Sequence, residues 1–246
     1  MKQSQVIAAT SIAVVLGWSS SAVAQHWSYE GEAGPQNWSK VDAKFAMCAL
    51  GKNQSPIDLA GPVKASLQPL AMDYKQGATD IVNNGHTVQV NFGAGSNLTV
   101  DGKSFELKQF HFHSPSENKI NGKQFPLEAH LVHADKDGNL AVVAVMFNEG
   151  ADDTFISKLW SAMPDKAGGK NSLPTALSAK DLLPKDRGYY RFDGSLTTPP
   201  CSEGVRWLVM KAPATASKAQ VEKFSKTLGF ANNRPIQPVN ARVVLQ

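Results

Sequence analysis

From Leu98 to Phe147 the chain repeatedly alternates apolar and polar residues, and Asp-Gly pairs at 101–102 and 137–138 interrupt the run. Successive side chains of a strand point to opposite faces, so this pattern demands half-buried strands joined by tight turns. Strands are expected over residues 86–92, 98–100, 104–113, 125–133, 140–147 and 207–211. Helix signals are few. Residues 154–163 carry apolar side chains at 155, 156, 159 and 160 after two aspartates suited to a helix start. Ser217 and Gln220 form a capping box ahead of Val221, Phe224 and Leu228, and Gly229 follows as a C-cap. Residues 25–58, rich in Gly, Pro, Trp and Asn, hold no sustained period and read as an irregular wrapping arm. With no repeat and no long linker, the expectation is one sheet-dominated domain with peripheral helices.

The first 24 residues stand apart. Lys2 provides a positive start, Val6 to Trp18 is mostly apolar, and Ala22-Val23-Ala24 has the small-x-small form of a cleavage site. The apolar stretch is too short and too interrupted for a membrane span of about 20 residues. It reads as a secretory signal peptide (1–24), with a mature domain over 25–246 that is exported, periplasmic or secreted, and has no membrane partner. The formal net charge of +4 falls by one with Lys2, and basic residues are interspersed with acidic ones rather than clustered. That distribution excludes the basic footprint of a nucleic-acid-binding protein. The chain has two cysteines, Cys48 and Cys201, without C-x-x-C spacing. In an exported protein such a pair is expected to be a disulfide, and at this loop length worth at most about 5 kcal/mol.

The chemistry concentrates in the alternating strands. Of six histidines, four (His111, His113, His130 and His133) lie between 111 and 133. On one strand Gln109, His111 and His113 share a face, while Phe110 and Phe112 take the other. On a second strand Glu128 and His130 share a face and His133 points away, so His133 reads as structural. If the strands are neighbours, three imidazoles converge and leave a tetrahedral zinc one open position, the catalytic arrangement. A lone strand histidine is more often a hydrogen-bonded core residue than a ligand. Here, however, Gln109 sits beside His111 and Glu128 beside His130, each able to accept from the ring nitrogen that does not face a metal. A cupin-like iron site also uses H-x-H, with a carboxylate as direct ligand. No G-x-S-x-G elbow or P-loop is present, and Gly93-Ala94-Gly95 lacks the rest of a dinucleotide fingerprint.

Seven segments together carry a resemblance: HWSYEGEAGPQNW (26–38), NQSPIDL (53–59), NNGH (83–86), QFHFHSPSE (109–117), EAHLVH (128–133), LTTPPCSEGVRW (196–207) and NNRPIQP (232–238). In order and over essentially the whole mature chain, they resemble the α-class carbonic anhydrases, particularly the exported bacterial members. The resemblance implies a mainly β (α+β) single domain on a large twisted, mostly antiparallel central sheet with short peripheral helices. It implies reversible hydration of carbon dioxide to bicarbonate and a proton by zinc-bound hydroxide, with Zn2+ held by His111, His113 and His130. Gln109 and Glu128 would orient His111 and His130, and the Asn232 carbonyl would hold His113. Thr197 would accept from the hydroxide and donate to Glu117. Val132, Val142, Leu196, Val205 and Trp207 would form the apolar wall for carbon dioxide, with Thr198 at the bicarbonate position. His86 would shuttle protons, supported by Tyr29, Asn84 and Gln89. A homodimer stays open, with no interface legible.

Two departures from larger family members stand out. Ser114-Pro115 follows the second ligand where they often carry Trp-Gly, and Asn118 stands where some carry histidine; both suggest a more open rim. The alternative from another class is a non-catalytic exported zinc-binding or adhesion module on the same scaffold.

Overall fold

The computed structural model describes residues 26–75, 77–173 and 177–246; the signal-peptide reading of 1–24 lies outside them. Thirteen strands are present among these residues: β1 (Asp58–Leu59), β2 (Ala71–Asp73), β3 (Ala78–Asn83), β4 (Val88–Phe92), β5 (Asn97–Val100), β6 (Lys103–His113), β7 (Lys119–Ile120), β8 (Leu127–Ala134), β9 (Leu140–Glu149), β10 (Lys170–Ser172), β11 (Tyr189–Ser195), β12 (Glu203–Met210) and β13 (Ala214–Ala216). The main sheet runs β10-β3-β4-β6-β8-β9-β12-β11, with β5 against β6, β2 against β5 and β13 against β9. It is a mixed sheet in which β12 and β13 run parallel to β9 and the other pairs are antiparallel.

All six expected strands are present, with ends shifted by a few residues. Thr154–Ser161 is a helix whose Asp153 side chain accepts from the Ile156 N–H. Lys218–Leu228 is a helix with the full Ser217/Gln220 box, and Gly229 takes the left-handed φ of 83° that an L side chain adopts only with strain. The arm departs from expectation. It is a string of short helical turns at Gly31–Ala33, Trp38–Val41, Ala43–Phe45 and Met47–Leu50, each too short for a 3.6-residue period to show.

The sheet's two faces bury different things. On β9, Ala141, Val143, Val145 and Phe147 enter a core shared with Phe110, Phe112, Leu131 and the helix residues Trp160 and Phe224. Val142, Ala144 and Met146 enter a second cluster with Val205, Trp207, Val209 and Phe192. The histidine face of β6 and β8 belongs to this second side.

Candidate metal centre

Strand register assembles the site. β6 and β8 are antiparallel neighbours with His111 opposite His130 and His113 opposite Glu128. Extended across the sheet, one row reads Gln89, His111, His130, Ala144 and Val209, and the next reads Asn91, Gln109, Val132, Val142 and Trp207. The three imidazoles thus share a face with the expected apolar wall, one row away. One nitrogen from each of His111, His113 and His130 lies within 4.8 Å of the other two.

Each remaining ring nitrogen faces an oxygen: two are hydrogen-bonded and the third lies beside a carboxylate. His111 Nδ1–H donates to Gln109 Oε1 at 2.8 Å, and His113 Nδ1–H donates to the Asn232 carbonyl at 2.7 Å. His130 Nε2 lies 2.9 Å from Glu128 Oε1. These contacts fix each tautomer and leave His111 Nε2, His113 Nε2 and His130 Nδ1 as lone-pair donors facing one another. Burial, and then mutual repulsion among the rings, holds His111 well below the usual imidazole range, and burial with the charge of His113 does the same for His130; burial also lowers His113, against the Asn232 carbonyl and Glu128. The rings are therefore neutral at pH 7, the state that ligates. His113 Nε2 is buried without any protein partner, a vacancy in hydrogen bonding that costs free energy unless a cation fills it. Three neutral imidazoles with an oxygen behind each ring are a donor set that fits zinc.

His133 faces the opposite core. Its Nε2 meets the Tyr74 hydroxyl at 2.7 Å and its Nδ1 meets the Ala141 carbonyl at 3.2 Å. Burial lowers it to about 4. The structural reading of this residue holds.

Around the triad, Glu117 is fully buried with Oε2 3.5 Å from His113 Nε2 and 3.8 Å from His130 Nδ1. Burial pushes its carboxyl up to about 8, opposed by the Arg234 backbone N–H (2.8 Å to Oε1) and the Thr197 hydroxyl. Val132 and Leu196 are partly buried against Val142, Val205 and Trp207, and the Trp207 ring meets His130 edge-on at 4.8 Å between centroids. Thr198 sits in a tight turn, its carbonyl accepting from the Cys201 N–H at 2.8 Å. Cys48 and Cys201 form the expected disulfide.

His86 is partly buried, its ring parallel to Trp27 at 3.7 Å and to His26 at 4.7 Å. Burial, and then His26, lowers it to about 4. Asn84 Oδ1 accepts from the His86 and Thr87 backbone N–H groups, both at 2.9 Å. Tyr29 packs edge-on to Trp27 and Trp38, and burial raises its hydroxyl well above the ordinary value.

Asn118 does not widen a rim. It is buried, and its side chain and backbone N–H donate to the two oxygens of Glu128 at 2.8 and 2.9 Å. An amide there serves the carboxylate behind His130, so the open-rim expectation fails at this position. Arg234 escaped sequence reading altogether. It is buried, its guanidinium donating to Gln54 Oε1, the Ser55 carbonyl and the Cys48 carbonyl at 2.8–2.9 Å. The signal was present in the NQSPIDL and NNRPIQP segments, which meet there. Asn232 is the other hub: besides holding His113, its side chain accepts from the Ser114 N–H and donates to the His86 and Phe112 carbonyls.

Residues 33–246 match the family model for eukaryotic-type carbonic anhydrase. A carbonic anhydrase of Pectobacterium atrosepticum is 48% identical over 238 residues, 96% of this chain and 98% of its own. The α-carbonic anhydrase of Photobacterium profundum is 55% identical, with a TM-score of 0.86 over 90% of this chain and 100% of that one. That of Thermovibrio ammonificans, solved with the inhibitor sulfanilamide, is 51% identical, with a TM-score of 0.89 over 90% and 99%. With fold, site and sequence in register along nearly its whole described length, this chain belongs to the eukaryotic-type (α-class) carbonic anhydrase family, a family of carbonate dehydratases.

Proposed function

We propose that the chain hydrates carbon dioxide reversibly to bicarbonate and a proton, using Zn2+ held by His111, His113 and His130. The observation that carries this reading is the trio of neutral imidazoles, each with its second nitrogen facing an oxygen acceptor and its free nitrogen turned inward. Zinc in such a set supplies a Lewis acid that brings the pKa of water to about 7, and carbonic anhydrase is itself the standard example.

The chain's own residues do the rest. Val132, Val142, Leu196, Val205 and Trp207 give carbon dioxide, which offers few hydrogen bonds, an apolar resting place beside the triad. A dication held there would favour the ionised form of Glu117, which then accepts from the Thr197 hydroxyl. The Thr197 oxygen is left as an acceptor toward the nucleophile, directing its lone pair at carbon, and Thr198 borders the product. Regenerating the nucleophile requires a proton to leave, and His86, reached past Tyr29, Asn84 and Gln89, is the candidate carrier. A ring lowered to about 4 takes a proton from near-neutral water uphill and releases it readily. The disulfide supports an exported, oxidising setting, and no helix among the described residues is long and apolar enough to cross a membrane.

The ligand assignment is tested by zinc content after dialysis. His113→Ala should lose zinc, weakening binding by more than the roughly 10–100-fold typical of losing only a supporting partner. His133→Ala should retain one zinc per chain. The reverse pattern would overturn the assignment of strand faces.

A further inference from the structure

Asp80 on β3 is buried and has no part in the chemistry above. Its backbone is paired with Asn91, and Asn91 with Gln109; on the adjacent row Val82 pairs with Gln89 and Gln89 with His111. Asp80 therefore stands in the row beside the histidines, flanked on the outer side by Ser172 of the edge strand β10. Its Oδ1 accepts from Asn91 Nδ2 at 2.6 Å, and Asn91 Oδ1 accepts from Gln89 Nε2 at 2.7 Å. Its Oδ2 accepts from the Thr79 hydroxyl at 2.8 Å and faces Lys170 Nζ at 3.2 Å. Burial pushes the Asp80 carboxyl up, but these partners more than offset it and its pKa lies below the ordinary value.

An ionised carboxylate cannot donate, so it dictates the direction of every bond in the chain. Asn91 must turn its NH2 toward Asp80 and its oxygen toward Gln89. Gln89 must then spend its NH2 on Asn91, which leaves Oε1 as its open group. Asn84 is fixed in the opposite sense: its oxygen takes two backbone N–H groups, which leaves Nδ2 open. Among the described residues neither Gln89 Oε1 nor Asn84 Nδ2 has a protein partner.

We propose that Asp80, acting through Asn91, is a positioning residue that sets the polarity of Gln89, so that Gln89 offers an acceptor and Asn84 a donor to the water between the histidines and His86. This rests on the reading of His86 as proton carrier. A donor on one side and an acceptor on the other orient an intervening water file, so a proton leaving the site meets lone pairs pointing the right way. Were Gln89 free to flip, half of the water arrangements would present a hydrogen where the proton must arrive.

Two measurements separate this from its premise. Neutron diffraction of the perdeuterated wild-type protein should place both deuterons of Gln89 on the atom facing Asn91, and both deuterons of Asn91 on the atom facing Asp80. Asp80→Asn, whose amide can pair with Asn91 in either sense, should lower kcat in dilute buffer by about three- to tenfold, the worth of one oriented hydrogen bond. It should leave kcat/KM unchanged, regain turnover with added imidazole, and add nothing to His86→Ala. Deuterons on the other Gln89 atom would overturn the proposal. So would equal losses in kcat and kcat/KM, or an unchanged kcat in a folded Asp80→Asn. If His86→Ala itself leaves dilute-buffer turnover intact, the relay reading fails, and the proposed function of the Asp80 chain fails with it even where the neutron map shows the expected polarity.

Discussion

The residue that most changes meaning between sequence and structure is His86. An ordinary imidazole, titrating near 6.5, is well matched to relay protons at neutral pH. Stacked on Trp27 and His26 it falls to about 4, chiefly through burial. His86→Ala should therefore lower kcat in dilute buffer by about tenfold, less than the 100-fold or more of a well-matched group. Stopped-flow hydration should show kcat/KM preserved and turnover restored by added imidazole; a matching loss in kcat/KM without rescue would mean that the ring shapes the site instead. His133 makes the complementary case. Its folded pKa of about 4 lies below the unfolded value of 6.5. The unfolded chain thus binds the extra proton first, and the stability contributed by the neutral ring is present above pH 6.5 and lost as pH falls toward 4. At 1.36 kcal/mol per unit this comes to about 3 kcal/mol. Denaturant titrations of wild type and His133→Gln at pH 7 and pH 4.5 should show the wild type losing more. Parallel pH profiles would remove His133 as the cause.

At the scale of elements, what the sequence revealed and what it hid follow from one cause. The Asp-Gly turns at 101–102 and 137–138 bracketed β6, β8 and β9, and the polar-apolar alternation of Gln109 to His113 exposed the converging histidines even though β8 and β9 bury both faces. β3 (Ala78–Asn83) and β11 (Tyr189–Ser195) also bury adjacent positions on both faces, and no Asp-Gly turn marks their ends. β11 also carries Gly194, where a Cβ would collide with Ser55 and Trp207; alone, that glycine reads as a break rather than as a close approach of two segments. The strand pattern placed the three imidazoles and their first supports, Gln109 and Glu128, whereas Asn232 came from the family resemblance. It could not place Arg234, whose partner Gln54 lies 180 residues away, or the buried role of Asn118, whose amide donates to Glu128 while its oxygen accepts from the Ile57 N–H 61 residues earlier.

At the scale of the molecule, one mixed sheet separates a large apolar core from a second layer that holds the site, and the arm closes over that second side. Cys48 lies in the arm and Cys201 in the turn after Thr198, with Cα atoms 5.0 Å apart. Gln54 donates to the Cys201 carbonyl at 3.0 Å and Arg234 to the Cys48 carbonyl at 2.9 Å, so hydrogen bonds span the same junction. Reduction should therefore cost up to about 5 kcal/mol of stability, mainly by freeing the unfolded chain, while kcat/KM of the still-folded fraction changes little. Melting curves and hydration rates with and without reductant would check this, and a large activity loss below the melting transition would contradict it. The proposed function rests on zinc in the three-histidine site hydrating carbon dioxide. Its most direct test is stopped-flow hydration of the chelator-stripped chain as zinc is returned. Activity should rise in proportion to zinc and break at one equivalent per chain; activity indifferent to zinc, or one tightly bound zinc without hydration, would contradict it.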